Sequence, residues 1–176
     1  MTPENDANNI KWLMTDLMVD LASAVGMARD VIISHDPLVP IKSMGRLRVC
    51  NHFIVLTLFK LHEVRKGYGQ FFHRLPSEAT VSLYQAAKDI EAKQICQFRN
   101  KYAAHIFDKD SKNPISLKKA EELLLSITGK DNSDCLSFYD WICPVGWKAD
   151  QKCVVSTVVA MRDYCMGLPG GELERP

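Results

Sequence analysis

Residues 8–34 read NNIKWLMTDLMVDLASAVGMARDVIIS, and this stretch decides the fold class. Its apolar side chains recur every three or four residues, as on one face of an α-helix that packs on a core. Asp36 and Pro37 follow, and we expect the helix to end there because proline cannot continue a helix interior. The expected buried face consists of Ile10, Leu13, Met14, Leu17, Met18, Leu21, Val25, Ala28, Val31 and Ile32.

The same spacing predicts four further helices, over residues 44–66, 78–104, 117–128 and 149–167. The last of these segments is rich in β-branched residues, so a strand is the alternative there. Residues 130–149 are rich in aromatic side chains and contain proline and glycine. We interpret them as an irregular segment that packs on the bundle, with stacking on RNA bases as the alternative use of the rings. The sequence therefore predicts an all-α, up-and-down helical bundle of four to five helices.

The size and composition fit one globular domain. The chain has 176 residues, of which 47% are hydrophobic and 24% charged, and this excludes a disordered or low-complexity protein. We expect a single domain over residues 1–168 and a flexible tail over 169–176. The chain contains no apolar run of the ~18 residues that a membrane span needs, and its polar, acidic start does not resemble a secretory signal. We therefore expect a cytoplasmic protein with no membrane partner.

The six cysteines do not form a metal or disulfide pattern. None belongs to a Cys-x-x-Cys pair, and the spacing matches no compact zinc signature. We expect them to be small buried hydrophobic residues in a reducing cytosol. The sequence also lacks a glycine-rich phosphate loop, a zinc-binding helix motif and a nucleophile elbow, so we expect neither a metal nor a cofactor.

Positive charge is concentrated in one segment. Residues 42–74 contain seven lysines and arginines and one acidic residue, a net charge of +6, whereas residues 1–41 have a net charge of −4. Such an excess could bind the phosphates of a nucleic acid, or it could be the solvated face of one basic helix. The expected RNA-binding residues in this segment are Arg46, Arg48, Lys60, Arg65 and Lys66.

One short motif contains the residue types that cleave RNA without a metal. Residues 98–108 read FRNKYAAHIFD, with Arg99 followed by the polar Asn100 and, six positions after the arginine, by His105. A guanidinium can hold phosphate oxygens, and an imidazole can take the proton of a ribose 2′-hydroxyl or protonate the leaving oxygen. The alternative is structural, with a histidine near a helix C-terminus and an arginine at the surface.

Helix geometry limits how Arg99 and His105 can meet. On a straight α-helix, six residues separate them by ~120° around the axis and ~9 Å along it, so they do not share a face. Either the helix is distorted near residues 103 and 104, or the site combines residues of two chains in a two-fold dimer.

The motif resembles the Arg-x(4–6)-His motif of the HEPN superfamily, in which a polar residue commonly follows the arginine. The string from Phe98 to His105 is also similar to the AbiU-like abortive-infection branch of that superfamily. The resemblance implies an all-α, homodimeric, metal-independent endoribonuclease of toxin or phage-defence type. Arg99 and His105 would be the catalytic pair, Asn100 the supporting polar residue, and Lys101 a further RNA contact.

The resemblance also implies partners and limits. RNA, a second copy of the chain and, for a toxin, a cognate antitoxin are the expected partners. HEPN toxins that a nucleotidyltransferase silences tend to have a tyrosine two residues after the histidine, but this chain has Phe107 there, so adenylylation at that site is not expected. Because some family members are not nucleases, the alternatives are a non-catalytic HEPN-like partner that binds a toxin, nucleotide or nucleic acid, or a purely structural dimerisation domain.

Overall fold

The computed structural model describes residues 3–34, 38–103 and 116–175, and every regular element among them is helical. This confirms the all-α helical bundle. None of the helices in these ranges is long and apolar enough to cross a membrane. The elements are α1 Pro3–Ile33, α2 Pro40–Gly67, α3 Gly69–Phe72, α4 Ser77–Ala92, α5 Ile95–Phe98, a π-helical turn Arg99–Ala103, α6 Leu117–Thr128, α7 Asn132–Ile142 and α8 Val154–Met166.

The core forms around α1, which packs against α2 and α8, while α4 contacts both α2 and α8. On α1 the predicted stripe is largely correct: Ile10, Met14 and Leu21 have no solvent-exposed surface, although Leu13 is 37% exposed. Burying one such large aliphatic side chain contributes roughly 1.5–3 kcal/mol, so the stripe holds α1 at the centre of the bundle.

The single long helix predicted over residues 78–104 is wrong. It ends at Ala92, and Gln94 adopts a left-handed conformation with φ 60° before α5 begins. No glycine or proline marks this break in the sequence. The left-handed conformation of Gln94 is strained for a residue with a Cβ atom, and the burial of Ile95 and Phe98 compensates for that strain. The division of this helix is one reason why the described residues contain more helical segments than the four to five expected.

The aromatic segment is also more regular than the sequence suggested. It contains α7, whose N-cap is Asp131: the Asp131 carboxylate accepts the backbone N–H of Asp134 at 2.9 Å. Tyr139 is completely buried and donates its hydroxyl to the Asn51 side-chain oxygen at 2.7 Å. The rings therefore pack on the bundle as interpreted, those of Phe138, Tyr139 and Trp141 from α7 and that of Trp147 from the non-helical chain after it.

The sequence predicted a flexible tail over residues 169–176. In the structure, residues 171–175 contact α1. The buried Lys11 ammonium donates to the carbonyl oxygens of Gly171 and Leu173, at 2.8 and 2.5 Å, and Arg175 pairs with Asp16 at 2.6 Å. A Cβ atom at position 171 would lie 1.9 Å from the Cys165 carbonyl oxygen. Only glycine therefore allows the chain to pass this closely over the end of α8.

Candidate functional site

The Arg99 motif begins at the π-helical turn that follows α5, and this turn lies along α2. Phe98 anchors it, because its ring is fully buried and meets the His52 ring edge-on, with the ring centroids 5.1 Å apart. The next residue, Arg99, is only partly buried and contacts Phe59, which also belongs to α2. The turn thus brings a cation of the motif onto the basic helix α2.

Arg99 rests on an aromatic ring rather than on a carboxylate. Its guanidinium carbon lies 4.8 Å from the centroid of the Phe59 ring, and its Nη1 donates to the Asn100 side-chain oxygen at 3.1 Å. No described residue forms an ion pair with Arg99. A guanidinium that stacks on a ring keeps N–H donors at its edge for a bidentate contact with phosphate oxygens.

The other predicted residues of the motif are only partly described. Asn100 and Lys101 are exposed, and Asn100 stands next to Arg99 as the supporting polar residue was expected to do. His105 lies outside the described residues. The straight-helix geometry that separated Arg99 from His105 by ~120° does not apply, because residues 99–103 form a π-helical turn instead of α-helix.

A histidine that the sequence analysis did not select, His52, lies close to this turn. It is partly buried. Burial is the larger cause, and the positive charge of Arg48 the smaller cause, of a pKa below the ordinary value of 6.5. The imidazole is therefore neutral at neutral pH and able to accept a proton. The sequence does indicate that Arg48 and His52 are neighbours, since they are four residues apart and share one face of α2.

A second histidine, His62, fixes the ring below Arg99. The planes of the Phe59 and His62 rings stack with centroids 6.3 Å apart. The His62 Nε2 atom contacts the Glu91 carboxylate of α4 at 2.7 Å, and its Nδ1 atom lies 3.4 Å from the Glu63 carboxylate. These contacts connect α2 to α4 and hold the aromatic platform in place.

The predicted basic residues of α2 differ in their contacts and exposure. Lys60 lies 3.6 Å from Asp20 and over the Phe53 ring, while the Arg65 guanidinium stacks on Tyr84 at 5.0 Å. Arg46, Arg48 and Lys66 are exposed, and only Arg48 is coupled electrostatically to His52. Lys60 and Arg65 thus already contact other side chains of the protein, and RNA binding by the five residues of the +6 segment stays a prediction.

Comparison with known proteins bears on the fold. No family model and no curated protein matches the chain. A solved structure from the mobile metagenome of V. paracholerae, the integron cassette protein Vpc_cass2, superposes over 95% of this chain and 98% of its own, with a TM-score of 0.75. The two chains share a fold. Their sequence identity is 20%, so the likeness is one of architecture alone.

Two groups of side chains lie along α2. Arg99 stacks on Phe59, whereas His52 meets the Phe98 ring and is coupled to Arg48. Among the residues described, no group of histidine, cysteine, aspartate and glutamate side chains could hold a metal ion. A guanidinium with unused N–H donors can hold phosphate oxygens, and a neutral imidazole can accept a proton.

Proposed function

We propose that this chain is a metal-independent endoribonuclease of toxin or phage-defence type, with an HEPN-like Arg/His cleft at a dimer interface. The observation that supports this proposal is the state of Arg99, which is held on Phe59 and has no carboxylate partner among the described residues. The guanidinium N–H donors that do not bond to Asn100 face no carboxylate among the described residues and can hold phosphate oxygens.

In the proposed reaction, Arg99 holds two oxygens of the scissile phosphate and stabilises the charge that develops on them. Asn100 orients the guanidinium through its side-chain oxygen. His105 acts as the general acid–base group. The ribose 2′-oxygen loses its proton and bonds to phosphorus, the bond to the 5′-oxygen breaks, and that oxygen takes up a proton, so that a cyclic phosphate and a 5′-hydroxyl result.

The dimer part of the proposal rests on the resemblance, in which the arginine and histidine of two chains line one cleft. Light scattering at micromolar concentration tests it directly. We expect a mass of about 40 kDa, twice the 19.9 kDa of one chain. A monomer that still cleaves RNA would contradict the shared cleft and leave the nuclease activity standing.

The decisive experiment is incubation of the purified protein with total cellular RNA in EDTA, beside the His105→Ala variant. We expect cleavage by the wild type and a loss of ~10²–10⁴-fold in rate for the variant. RNA that is bound but never cleaved would favour the non-catalytic HEPN-like partner. Cleavage that is the same in both proteins would show a contaminating nuclease or a different catalytic group.

A further inference from the structure

The first part of α2 contains no buried residue. We call residues 40–49 the α2 extension. None of its ten residues is buried, and the first buried residue of the helix is Cys50. Three large apolar side chains in it face solvent, because Ile41 is 82%, Met44 63% and Val49 69% exposed. Most helical stability in proteins comes from packing an apolar face, and this stretch packs almost nothing.

The apolar residues are arranged as in a helix-docking face. Ile41, Met44, Gly45 and Val49 follow one another at steps of three, one and four residues, which is the spacing of contacts between two packed helices. A Cβ atom at Gly45 would meet no other atom within 4 Å, so the fold itself does not require glycine here. A glycine in the middle of an exposed apolar stripe lets a second backbone approach closely.

The charges around this stripe indicate the chemistry of its partner. Lys42 and Arg46 lie along one edge of it and Arg48 falls within it, and the sequence contains no acidic residue between Asp36 and Glu63. None of the three cations forms an ion pair with the described residues. A symmetric contact between two copies of the stripe would bring these like charges together, which is unfavourable.

A notch beside the stripe has room for an acidic side chain. It has a volume of about 180 Å³ and lies between the end of α1 and the start of α2. Lys42, Arg46 and Ser43 line it together with aliphatic groups of Val31 and Val39. These residues can hold a carboxylate by charge-assisted hydrogen bonds next to the apolar contact.

We infer that the α2 extension is the docking face for an acidic amphipathic helix of a partner protein. Its apolar side would cover Ile41, Met44 and Val49, and its carboxylates would meet Lys42 and Arg46. RNA would neutralise the cations but would leave the aliphatic stripe in water, so an acidic apolar helix accounts for both features. This inference does not involve Arg99 or the motif; it shares with the nuclease proposal only Arg46 and Arg48, which are expected RNA contacts there.

The test uses a synthetic, dye-labelled helix of about 18 residues, with leucine at helical spacing and glutamate on both flanks, titrated with the intact protein. We expect saturable binding by fluorescence anisotropy, and at least about tenfold weaker binding when lysine replaces glutamate in the peptide. Gly45→Gln should weaken binding by a similar factor, since the new side chain blocks the approach. The matched control is Gly26→Gln on α1, another exposed helical glycine with open space around its Cβ position, which should bind like the wild type.

Circular dichroism and RNA cleavage, measured on both variants, separate this inference from the nuclease proposal. Both variants should remain folded, because neither glycine is crowded and both lie inside helices. Equal binding of the glutamate and lysine peptides, or no effect of Gly45→Gln, would overturn the inference. A dimer that Gly45→Gln dissociates would make a second copy the occupant. Binding to anionic lipid vesicles or RNA that Gly45→Gln abolishes, without peptide binding, would assign the face to those partners instead.

Discussion

Two arginines connect helices of this bundle in different ways. Arg29 of α1 is almost completely buried, and its guanidinium donates to the Cys143 carbonyl oxygen at 2.9 Å and to the Asp140 carboxylate at 2.6 Å. Among the described residues, Arg99 of the π-helical turn hydrogen-bonds only to its neighbour Asn100, and it stacks on Phe59. Arg29 thus directs its charge to the protein, whereas Arg99 keeps donors available for a ligand.

The comparison teaches that the partners of an arginine, rather than its position on a helix, distinguish a structural role from a binding role. Both arginines lie in helices beside apolar residues and look alike in the sequence. Arg29 fastens α7 to α1, and the contact reaches the carbonyl group at the end of α7. The following predictions test this difference, beginning with the largest expected effect.

Arg99→Lys should lower the rate of RNA cleavage by about 10²–10³-fold, because lysine keeps the charge but loses the planar fork that holds two phosphate oxygens. Initial rates in EDTA measure the effect. Arg29→Lys is the control, and its activity per folded molecule should equal that of the wild type. Wild-type activity in Arg99→Lys would contradict the role of Arg99 in the proposed cleft.

Stability should show the opposite order. Arg29→Met should lower the free energy of unfolding by about 2–3 kcal/mol, since it leaves the Cys143 carbonyl and Asp140 without their charged donor. Much of that loss comes from the carbonyl contact, because the Asp140 side chain is 59% exposed and its ion pair is screened. Arg99→Met should cost less than about 1 kcal/mol, the value of an exposed cation–π contact. Urea titration of both variants decides whether the two arginines differ as described.

Because the pKa of His52 is lowered in the folded protein, the free energy of unfolding should depend on pH. The unfolded chain takes up a proton at this position near pH 6.5, whereas the folded protein takes it up only at lower pH. The contribution of His52 to stability should therefore be complete above pH 6.5 and should decline as the pH falls from there toward the folded-state pKa. Urea titrations from pH 5 to 8 on the wild type and His52→Gln measure it, and identical pH profiles would contradict the buried, Arg48-coupled environment.

The smallest effect concerns salt. If Arg48 contacts an RNA phosphate near the cleft, Arg48→Gln should reduce the slope of log affinity against log salt by about 0.7. Arg162→Gln should leave the slope unchanged, because the Arg162 guanidinium of α8 is paired with the Asp163 carboxylate at 2.6 Å. Filter binding at several salt concentrations measures the slope for the wild type and both variants. If both variants have the wild-type slope, neither side chain contacts RNA.

Local sequence signals were sufficient for much of the fold. The stripe of α1 follows from its periodicity, and α6 has the residues 117–128 that the sequence predicted. Ser116 caps that helix by accepting from the Lys119 backbone N–H, and Gly129 ends it with φ 102°. Helix periodicity, caps and terminal glycines are properties of neighbouring residues, so the sequence states them directly.

The candidate site was predictable only in part. Arg99 and Asn100 were chosen from a motif and its resemblance, and the structure places them side by side on the surface of the bundle. The role of the pair Arg99 and His105 in catalysis stays a prediction. His52 was not selected, because the property that matters, a pKa lowered by burial and by Arg48, exists only after α5 and the π-helical turn cover α2.

By itself, the sequence determined an all-α chain with an amphipathic first helix, a basic second helix and an Arg–Asn–His motif. Tertiary structure decided the break at Gln94, the stacking of Arg99 on Phe59 and the return of residues 171–175 to Lys11 and Asp16. Each of these features depends on residues that are distant in the chain or on strain that burial elsewhere compensates. Propensity and spacing describe only what a residue does with its neighbours along the helix, and the packing of the whole bundle sets the rest.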